Sequence, residues 1–209
     1  MLPEAILSID GFEMRILALD LGSTKTGFAI GEAGSMPERN GSVKLRKSTQ
    51  DAEFALSEVG KFLRDQFFMF EASRPDVVIV EDFLSKLTQG GSNARTIMVL
   101  GQMHGAVRGV AGLWGIDVRA VHGNTIKKHF IGAISAAPKT KGGATARARQ
   151  EARQKTKEAI FARAVTLGYI PRGANYDEDR ADACAVFDYA SAVMFRMPPS
   201  GFQMFGGAA

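Results

Sequence analysis

Two apolar runs in this chain each end in an acidic residue, and this pattern strongly constrains the fold. Residues 16–20 read ILALD and residues 77–81 read VVIVE. A carboxylate beside a hydrophobic core costs free energy unless a cation or hydrogen-bond donors satisfy it. Parallel neighbouring strands bring their carboxyl ends to one edge of a sheet. We therefore expect Asp20 and Glu81 to lie together at such an edge, with a metal or a proton between them.

The remaining apolar patterns predict an antiparallel start followed by alternating helices and strands. In chain order we predict strands at 15–20, 27–31 and 42–47, a helix at 51–70, a strand at 76–82, a helix at 93–113, a strand at 116–121, a short helix capped by Asn124 or Thr125, and helices at 151–168 and 179–195. Residues 135–150 are small, basic and rich in glycine, which predicts a mobile loop. This order predicts an α/β fold with a mixed five-stranded sheet and helices on both faces.

The length and composition favour one domain. At 209 residues and 45% hydrophobic content, the chain can bury one good core. We expect an extension at 1–14, a single domain at 15–196 and a flexible tail at 197–209. The lone cysteine, Cys184, predicts no internal disulfide and favours a reducing compartment, the cytoplasm. The sequence contains neither the pattern of an export signal nor an apolar run of about 18 residues, so we expect no membrane span.

Positive charge is concentrated in one segment. The net charge is +4, but residues 139–157 alone carry +6, so the rest of the chain is at about −2. The basic residues of this segment are Lys139, Lys141, Arg147, Arg149, Arg153, Lys155 and Lys157. Such a patch on a slightly acidic body fits a polyanionic partner, and a solvated, flexible loop is the alternative interpretation.

A third source of acids is the segment YDEDRADACAVFDYA. Asp179 and Asp182 lie three residues apart and therefore share one face of the predicted last helix. Together with Asp20 and Glu81 they form an all-oxygen ligand set, which suits Mg²⁺ or Mn²⁺ better than zinc. Two such ions can activate water for phosphodiester cleavage. Each acid also has an ordinary structural interpretation, as a strand-end residue, a loop acid, or a helix-start acid favoured by the helix dipole.

Three motifs carry a family resemblance. ALDLGSTKTGFAI, VVIVEDF and DRADACAV, in this order and spacing, resemble the metal-binding motifs of the RuvC-type Holliday-junction resolvases, which belong to the RNase H-like superfamily. The similarity runs from about Arg15 to Met194. NARTIMVLGQMHGAV resembles the helix that helps to pack the resolvase dimer. NTIKKHFIG and TKEAIFARAV resemble two stretches that each place a basic residue near the site.

The resemblance implies a metal-dependent endonuclease that cuts four-way or other branched DNA as a homodimer, with Mg²⁺ or Mn²⁺ and two ions per active site. It implies that the catalytic, metal-binding acids are Asp20, Glu81, Asp179 and Asp182, and it places the basic residues Lys127 and Lys157 near the site. The basic segment lies outside the resemblance, but its positive charge leads us to expect that Arg147, Arg149 and Arg153 also bind DNA. The extra acids Asp177 and Glu178 leave the third ligand open between Asp179 and Glu178. Phe83 resembles an aromatic residue that the family presses against bases, but its offset differs by one residue, and we expect it in the core.

Three other functions compete with this interpretation. A nuclease of the same fold with a different nucleic-acid substrate fits the same motifs. A non-catalytic nucleic-acid-binding member of the fold would have no use for four acids facing phosphate. Actin-like proteins and sugar kinases also open on a D-x-G turn, but they duplicate the domain and need a second phosphate loop, for which 209 residues give no room.

Overall fold

The computed structural model describes residues 14–47, 49–83, 94–132 and 145–195, apart from the side chains of residues 52 and 94. Five strands lie in these ranges: β1 Arg15–Asp20, β2 Lys25–Glu32, β3 Arg39–Lys44, β4 Val77–Glu81 and β5 Asp117–Val121. The α-helices are α1 Ala52–Leu63, α2 Ala94–Leu113, α3 Gly123–Ile131, α4 Ala146–Thr166 and α5 Glu178–Tyr189. Within these ranges no helix combines the length and hydropathy that a membrane crossing requires.

The strands form one mixed sheet, as predicted. Its strand order is β3-β2-β1-β4-β5. β1 pairs antiparallel with β2, and β2 with β3, whereas β1, β4 and β5 run parallel. Leu19 lies opposite Val80 in the register of β1 and β4. Asp20 and Glu81, one residue further along, therefore end adjacent parallel strands.

Helices cover both faces of the sheet, which confirms the predicted layers. Ile16 and Ala18 of β1 and Val77 and Ile79 of β4 pack against α3, α4 and α5. Leu17 and Leu19, with Val78 and Val80, pack against α1 and α2 on the opposite face. Side chains alternate with a period of two along a strand. Asp20 and Glu81 therefore project to the face that α3, α4 and α5 cover, here called the α5 face.

Several predicted element boundaries were wrong. The helix predicted at 51–70 ends at Leu63 and continues as one π turn, Arg64–Phe68. The third strand lies at Arg39–Lys44 rather than 42–47. The short helix is capped by His122, whose side chain accepts a hydrogen bond from the Asn124 backbone N–H, and not by Asn124 or Thr125. Asparagine and threonine are common helix caps and histidine is not, so the sequence pattern favoured Asn124 or Thr125 over His122.

The loop predicted at 135–150 is helical over its last residues. α4 begins at Ala146, where the Thr145 side chain accepts a hydrogen bond from the Ala148 N–H. Alanine, arginine and glutamine favour a helix once it is capped, and this outweighs the local charge. The last helix likewise begins one residue early, at Glu178, and one π turn, Ala190–Met194, extends it. Residues 1–13, 133–144 and 196–209 lie outside the described residues. They include all of the predicted extension (1–14) except Met14 and all of the predicted tail (197–209).

α5 lies unusually close to the sheet because a glycine faces its backbone. Gly27 of β2 pairs with Asp20 of β1. A Cβ atom at Gly27 would lie 1.8 Å from the carbonyl oxygen of Asp179 and 3.2 Å from the Cβ of Ala183. Only glycine permits this approach, because any larger residue would force strand and helix apart. The contact holds the first turn of α5 against β2, next to the end of β1.

We expect Gly27→Ala to lower the free energy of unfolding by at least about 2 kcal/mol, because the methyl group meets backbone that cannot move aside. Gly105→Ala is the matched control: its Cβ meets nothing within 4 Å, and it lies inside α2. There alanine should be neutral or stabilising by about 0.5–1 kcal/mol, since it lowers the entropy cost of the helix. Urea unfolding of both variants tests this, and equal stabilities would contradict the packing.

Candidate active site

Two buried carboxylates form the base of the site. Asp20 is 8% exposed and Glu81 is 7% exposed, although both are acids. The strand pairing places them side by side at the carboxyl ends of β1 and β4. Carboxylates at such depth need positive charge or donors nearby.

Lys127 of α3 supplies that charge. Its Nζ lies 3.4 Å from Glu81 Oε1. Burial acts to lower the pKa of Lys127, but the carboxylates of Glu81, Asp182 and Asp20 outweigh it and hold the pKa above its ordinary value. The compensating cation expected from the sequence is therefore a lysine in this structure.

The start of α3 also packs against Glu81. A Cβ atom at Gly123 would lie 1.8 Å from Glu81 Oε1. The absent side chain lets the carboxylate approach the positive end of the helix dipole. Gly123 and Lys127 are four residues apart and so present the same face of α3 to Glu81.

Asp182 brings a third carboxylate to the same place from α5. Burial raises the pKa of Asp182 to about 6, against the ammonium of Lys127, and the negative charges of Glu81 and Asp179 contribute to the rise. Lys157 acts in the opposite direction. Asp20, Glu81 and Asp182 thus come from three elements and surround one lysine, and we name them with Lys127 the carboxylate cluster.

The acids at the start of α5 have separate tasks. Asp177 is the N-cap, accepting hydrogen bonds from the Arg180 N–H at 3.2 Å, Lys25 Nζ at 2.6 Å and Ser42 Oγ at 2.5 Å. Burial opposes its ionisation, but the hydrogen bonds from Lys25 and Ser42 hold the pKa of Asp177 below its ordinary value. This carboxylate anchors the helix to β2 and β3.

Glu178 and Asp179 point to different partners. Glu178 accepts a hydrogen bond from Lys157 Nζ of α4 at 2.6 Å. Asp179 lies 3.2 Å from Lys25 Nζ and close enough to Asp182 to raise its pKa. Since the helix has begun at Glu178, successive side chains are turned by about 100°. Of the two acids, Asp179 is the one whose charge acts on the cluster through Asp182.

The predicted basic residues flank the cluster at different distances. Lys127 lies within it, and Lys157 lies at its border, paired with Glu178. Arg147, Arg149 and Arg153 lie on the first half of α4, where Arg147 pairs with Glu151 at the exposed surface. Phe83 is half-buried, with its ring 4.9 Å from that of His104 on α2, so the core prediction holds only in part.

The cluster fits a hard cation in its chemistry. Its donors are carboxylate oxygens, the ligands that Mg²⁺ and Mn²⁺ prefer. In the part of the chain that the structure describes, no three acidic, histidine or cysteine side chains are close enough to share a metal ion. The site already accommodates one positive charge, the ammonium group of Lys127.

Sequence reasoning missed the role of Lys25. Its Nζ bridges Asp177 and Asp179 and so joins the start of β2 to the first turn of α5. Three consecutive acids, Asp177 to Asp179, called for a cation. The strand-turn-strand pattern could not show which lysine would supply it, since the pairing spans 152 positions.

Comparison with solved structures identifies the fold. RuvC of T. thermophilus, in complex with a Holliday junction substrate, matches with a TM-score of 0.60 and 16% identity over 87% of this chain and 96% of that chain. This chain has the RuvC fold. A structure of Thermus thermophilus RuvC matches with a TM-score of 0.57 and 17% identity, over 88% of this chain and 98% of that chain. No protein-family model and no curated protein sequence matches the chain.

The RuvC fold confirms the RNase H-like architecture expected from the three motifs. At this identity the likeness concerns the fold alone. The roles of the acids and of the basic residues stay predictions.

The elevated pKa of Asp182 is directly measurable. In metal-free protein, carboxyl-carbon NMR should show Asp182 titrating at about pH 6. Lys127→Met should raise that pKa further, because it removes the positive charge that lowers this pKa most. Lys61→Met is the control: Lys61 lies on α1, across the sheet, and its replacement should leave the pKa of Asp182 unchanged. An Asp182 that titrates near pH 4 in wild-type protein would contradict the arrangement.

Proposed function

We propose that this protein is a metal-dependent endonuclease that cuts phosphodiester bonds in branched DNA, with the four-way (Holliday) junction as its substrate. The observation that carries the proposal is the carboxylate cluster at the carboxyl edge of the sheet, where acids from β1, β4 and α5 surround Lys127. The RuvC fold supports the choice of substrate, since the matched T. thermophilus protein is in complex with a Holliday junction substrate.

In this proposal the carboxylates of Asp20, Glu81, Asp179 and Asp182 draw together on binding Mg²⁺ or Mn²⁺, with two ions per site, because in the described structure no three of them are close enough to share an ion. The bound metal would supply an activated water and stabilise the leaving oxygen. Asp179 joins the set by releasing Lys25, to which it is paired 3.2 Å away. Glu178 is the alternative ligand and would have to leave Lys157.

The cluster's own groups can manage charge and protons around the scissile phosphate. The ammonium of Lys127 is positioned to neutralise a non-bridging phosphate oxygen, because it already lies among the carboxylates that face the site. Without metal, the pKa of Asp182, about 6, leaves this carboxyl partly protonated near pH 6, and a bound cation would release that proton.

DNA would approach across the first half of α4. Arg147, Arg149 and Arg153 lie on that half, and Lys157 continues the positive charge to the border of the cluster. Contacts between such residues and phosphates supply affinity without sequence preference.

A homodimer completes the proposal. A four-way junction has near two-fold symmetry, and paired cuts need paired sites. The outer surface of α2, the helix that resembles the dimer-packing helix, carries exposed apolar side chains, with Met98 64% and Leu113 84% exposed. These groups would gain from burial against a second copy.

Asp20→Asn should reduce cleavage of a synthetic four-way junction in Mg²⁺ to below about one hundredth of the wild-type rate, because a metal-binding carboxylate is removed. Binding of the junction should survive or tighten, since a negative charge beside phosphate is removed. Asp117→Asn, at the opposite end of the same sheet, is the control and should cut normally. Parallel assays with duplex DNA and an RNA–DNA hybrid test the substrate. Near-normal cutting by Asp20→Asn would contradict the mechanism, and equal cutting of all three substrates would contradict the junction.

Replacing Arg147, Arg149 and Arg153 together by glutamine should weaken junction binding and flatten its dependence on salt. The log–log slope should fall by about 0.9 for each phosphate that the variant no longer neutralises. Binding isotherms over a range of salt concentrations measure this. The double variant Lys61→Gln, Arg64→Gln removes exposed cations from the opposite side of the sheet and should keep the wild-type slope. An unchanged slope in the triple variant would mean that these three arginines do not contact DNA and that this half of α4 is an ordinary solvated surface.

A further inference from the structure

A second site candidate lies on α3, beside the carboxylate cluster but outside it. A shallow pocket of about 650 Å³ is lined by His122, Asn124, Thr125, Lys128, His129 and Tyr189. His122, Asn124, Thr125, Lys128 and Tyr189 can each donate a hydrogen bond, whereas His129 donates its Nε2 proton to Asp188, and no residue of the lining carries a carboxylate. A lining of this kind favours an anion with several acceptor oxygens. We name it the α3 pocket.

The α3 pocket and the carboxylate cluster share one helix. Gly123 and Lys127 present one face of α3 to Glu81, whereas Lys128 follows Lys127 and is turned from it by about 100°. A helix with its side chains is about 10–12 Å across. The pocket therefore lies within roughly one helix diameter of Glu81. Successive phosphates of one DNA strand are about 3.4 Å apart along the helix axis, so this distance matches that between phosphates a few nucleotides apart.

Hydrogen bonds hold the two imidazole rings of the pocket in position. Asp188 is 5% exposed and accepts hydrogen bonds from Tyr169 Oη at 2.6 Å and from His129 Nε2 at 3.0 Å. The ring of Tyr189 meets the His129 ring edge-on at 5.5 Å. The proposed cleavage mechanism makes no use of this buried network. It gives His129 a fixed orientation that a solvated surface histidine would not need.

His122 is fixed from the other side of the pocket. Its Nδ1 accepts a hydrogen bond from the Asn124 N–H at 3.3 Å, so the proton of the neutral ring lies on Nε2. That atom is therefore a donor. Lys128 adds a full positive charge on the exposed surface of the same helix.

We propose that the α3 pocket binds a backbone phosphate of DNA, a few nucleotides from the phosphate at the carboxylate cluster. Lys128 supplies the charge, and His122, Asn124 and Thr125 supply hydrogen bonds to its oxygens. The proposal rests on the proposed function in naming DNA as the ligand, and it adds a contact that orients the strand along α3.

Imidazole NMR tests the pocket directly, because the chain has just 3 histidines. His122 and His129 line the pocket. His104, which lies on α2 and is buried beside Phe83, serves as the internal control. Titration of the Asp20→Asn protein with a single-stranded DNA pentanucleotide should shift the signals of His122 and His129 and leave that of His104. Inorganic phosphate at the same phosphate concentration should shift them less. Unmoved signals with DNA, or a response to inorganic phosphate alone, would overturn the proposal.

Affinity measurements separate this inference from the proposed function. In the Asp20→Asn background, Lys128→Ala should weaken junction binding about five- to tenfold and lower the salt slope by about one. Lys128→Arg should retain binding, and Lys61→Ala on α1 should not change it. If the wild-type protein cuts junctions and Lys128→Ala binds them normally, the pocket proposal fails and the nuclease stands. If DNA shifts His122 and His129 but nothing is cut, the pocket stands and the nuclease fails.

Discussion

The balance between the buried carboxylates and Lys127 governs how this site is built. Asp20 and Glu81 end their strands almost out of contact with water, and Asp182 reaches them from α5. Three negative charges at this depth would repel one another and favour protonation. The ammonium of Lys127, 3.4 Å from Glu81, offsets part of this repulsion. The remainder, together with burial, shows in the raised pKa of Asp182. α3 is thus held in place by charge as well as by its apolar face.

Geometry at two glycines lets the charged groups meet. At Gly27 the backbone of α5 approaches β2 without a side chain between them, and at Gly123 the first turn of α3 approaches the Glu81 carboxylate. The two contacts differ in kind. Gly27 faces the backbone of α5, which cannot move aside, so that contact contributes to the stability of the fold. Gly123 faces the end of the flexible Glu81 side chain, so that contact determines where one carboxylate lies.

The sequence allowed the sheet and the pairing of Asp20 with Glu81 to be predicted, because strand alternation and parallel neighbours are local and topological rules. It also pointed to Lys127, through the resemblance. It did not identify Lys127 as the internal counter-ion, Lys25 as the bridge to α5, or His122 as a cap. Each of these depends on a contact or a choice of partner that periodicity does not encode. The start of α4 was misjudged because glycine and charge in residues 135–144 masked the helix-forming residues that follow Thr145.

The cap at Asp177 has a consequence for how this chain can change in length. Its bonds to Lys25, Ser42 and the Arg180 N–H fix where α5 begins and how it is rotated against β2 and β3. One residue added between Asp177 and Asp182 would turn Asp182 by about 100° away from Glu81. Residues added in the turn between Ile170 and Asp177 would leave the cap and the rotation intact. Natural or engineered insertions are therefore compatible with this site before the cap and incompatible with it in the turn that follows.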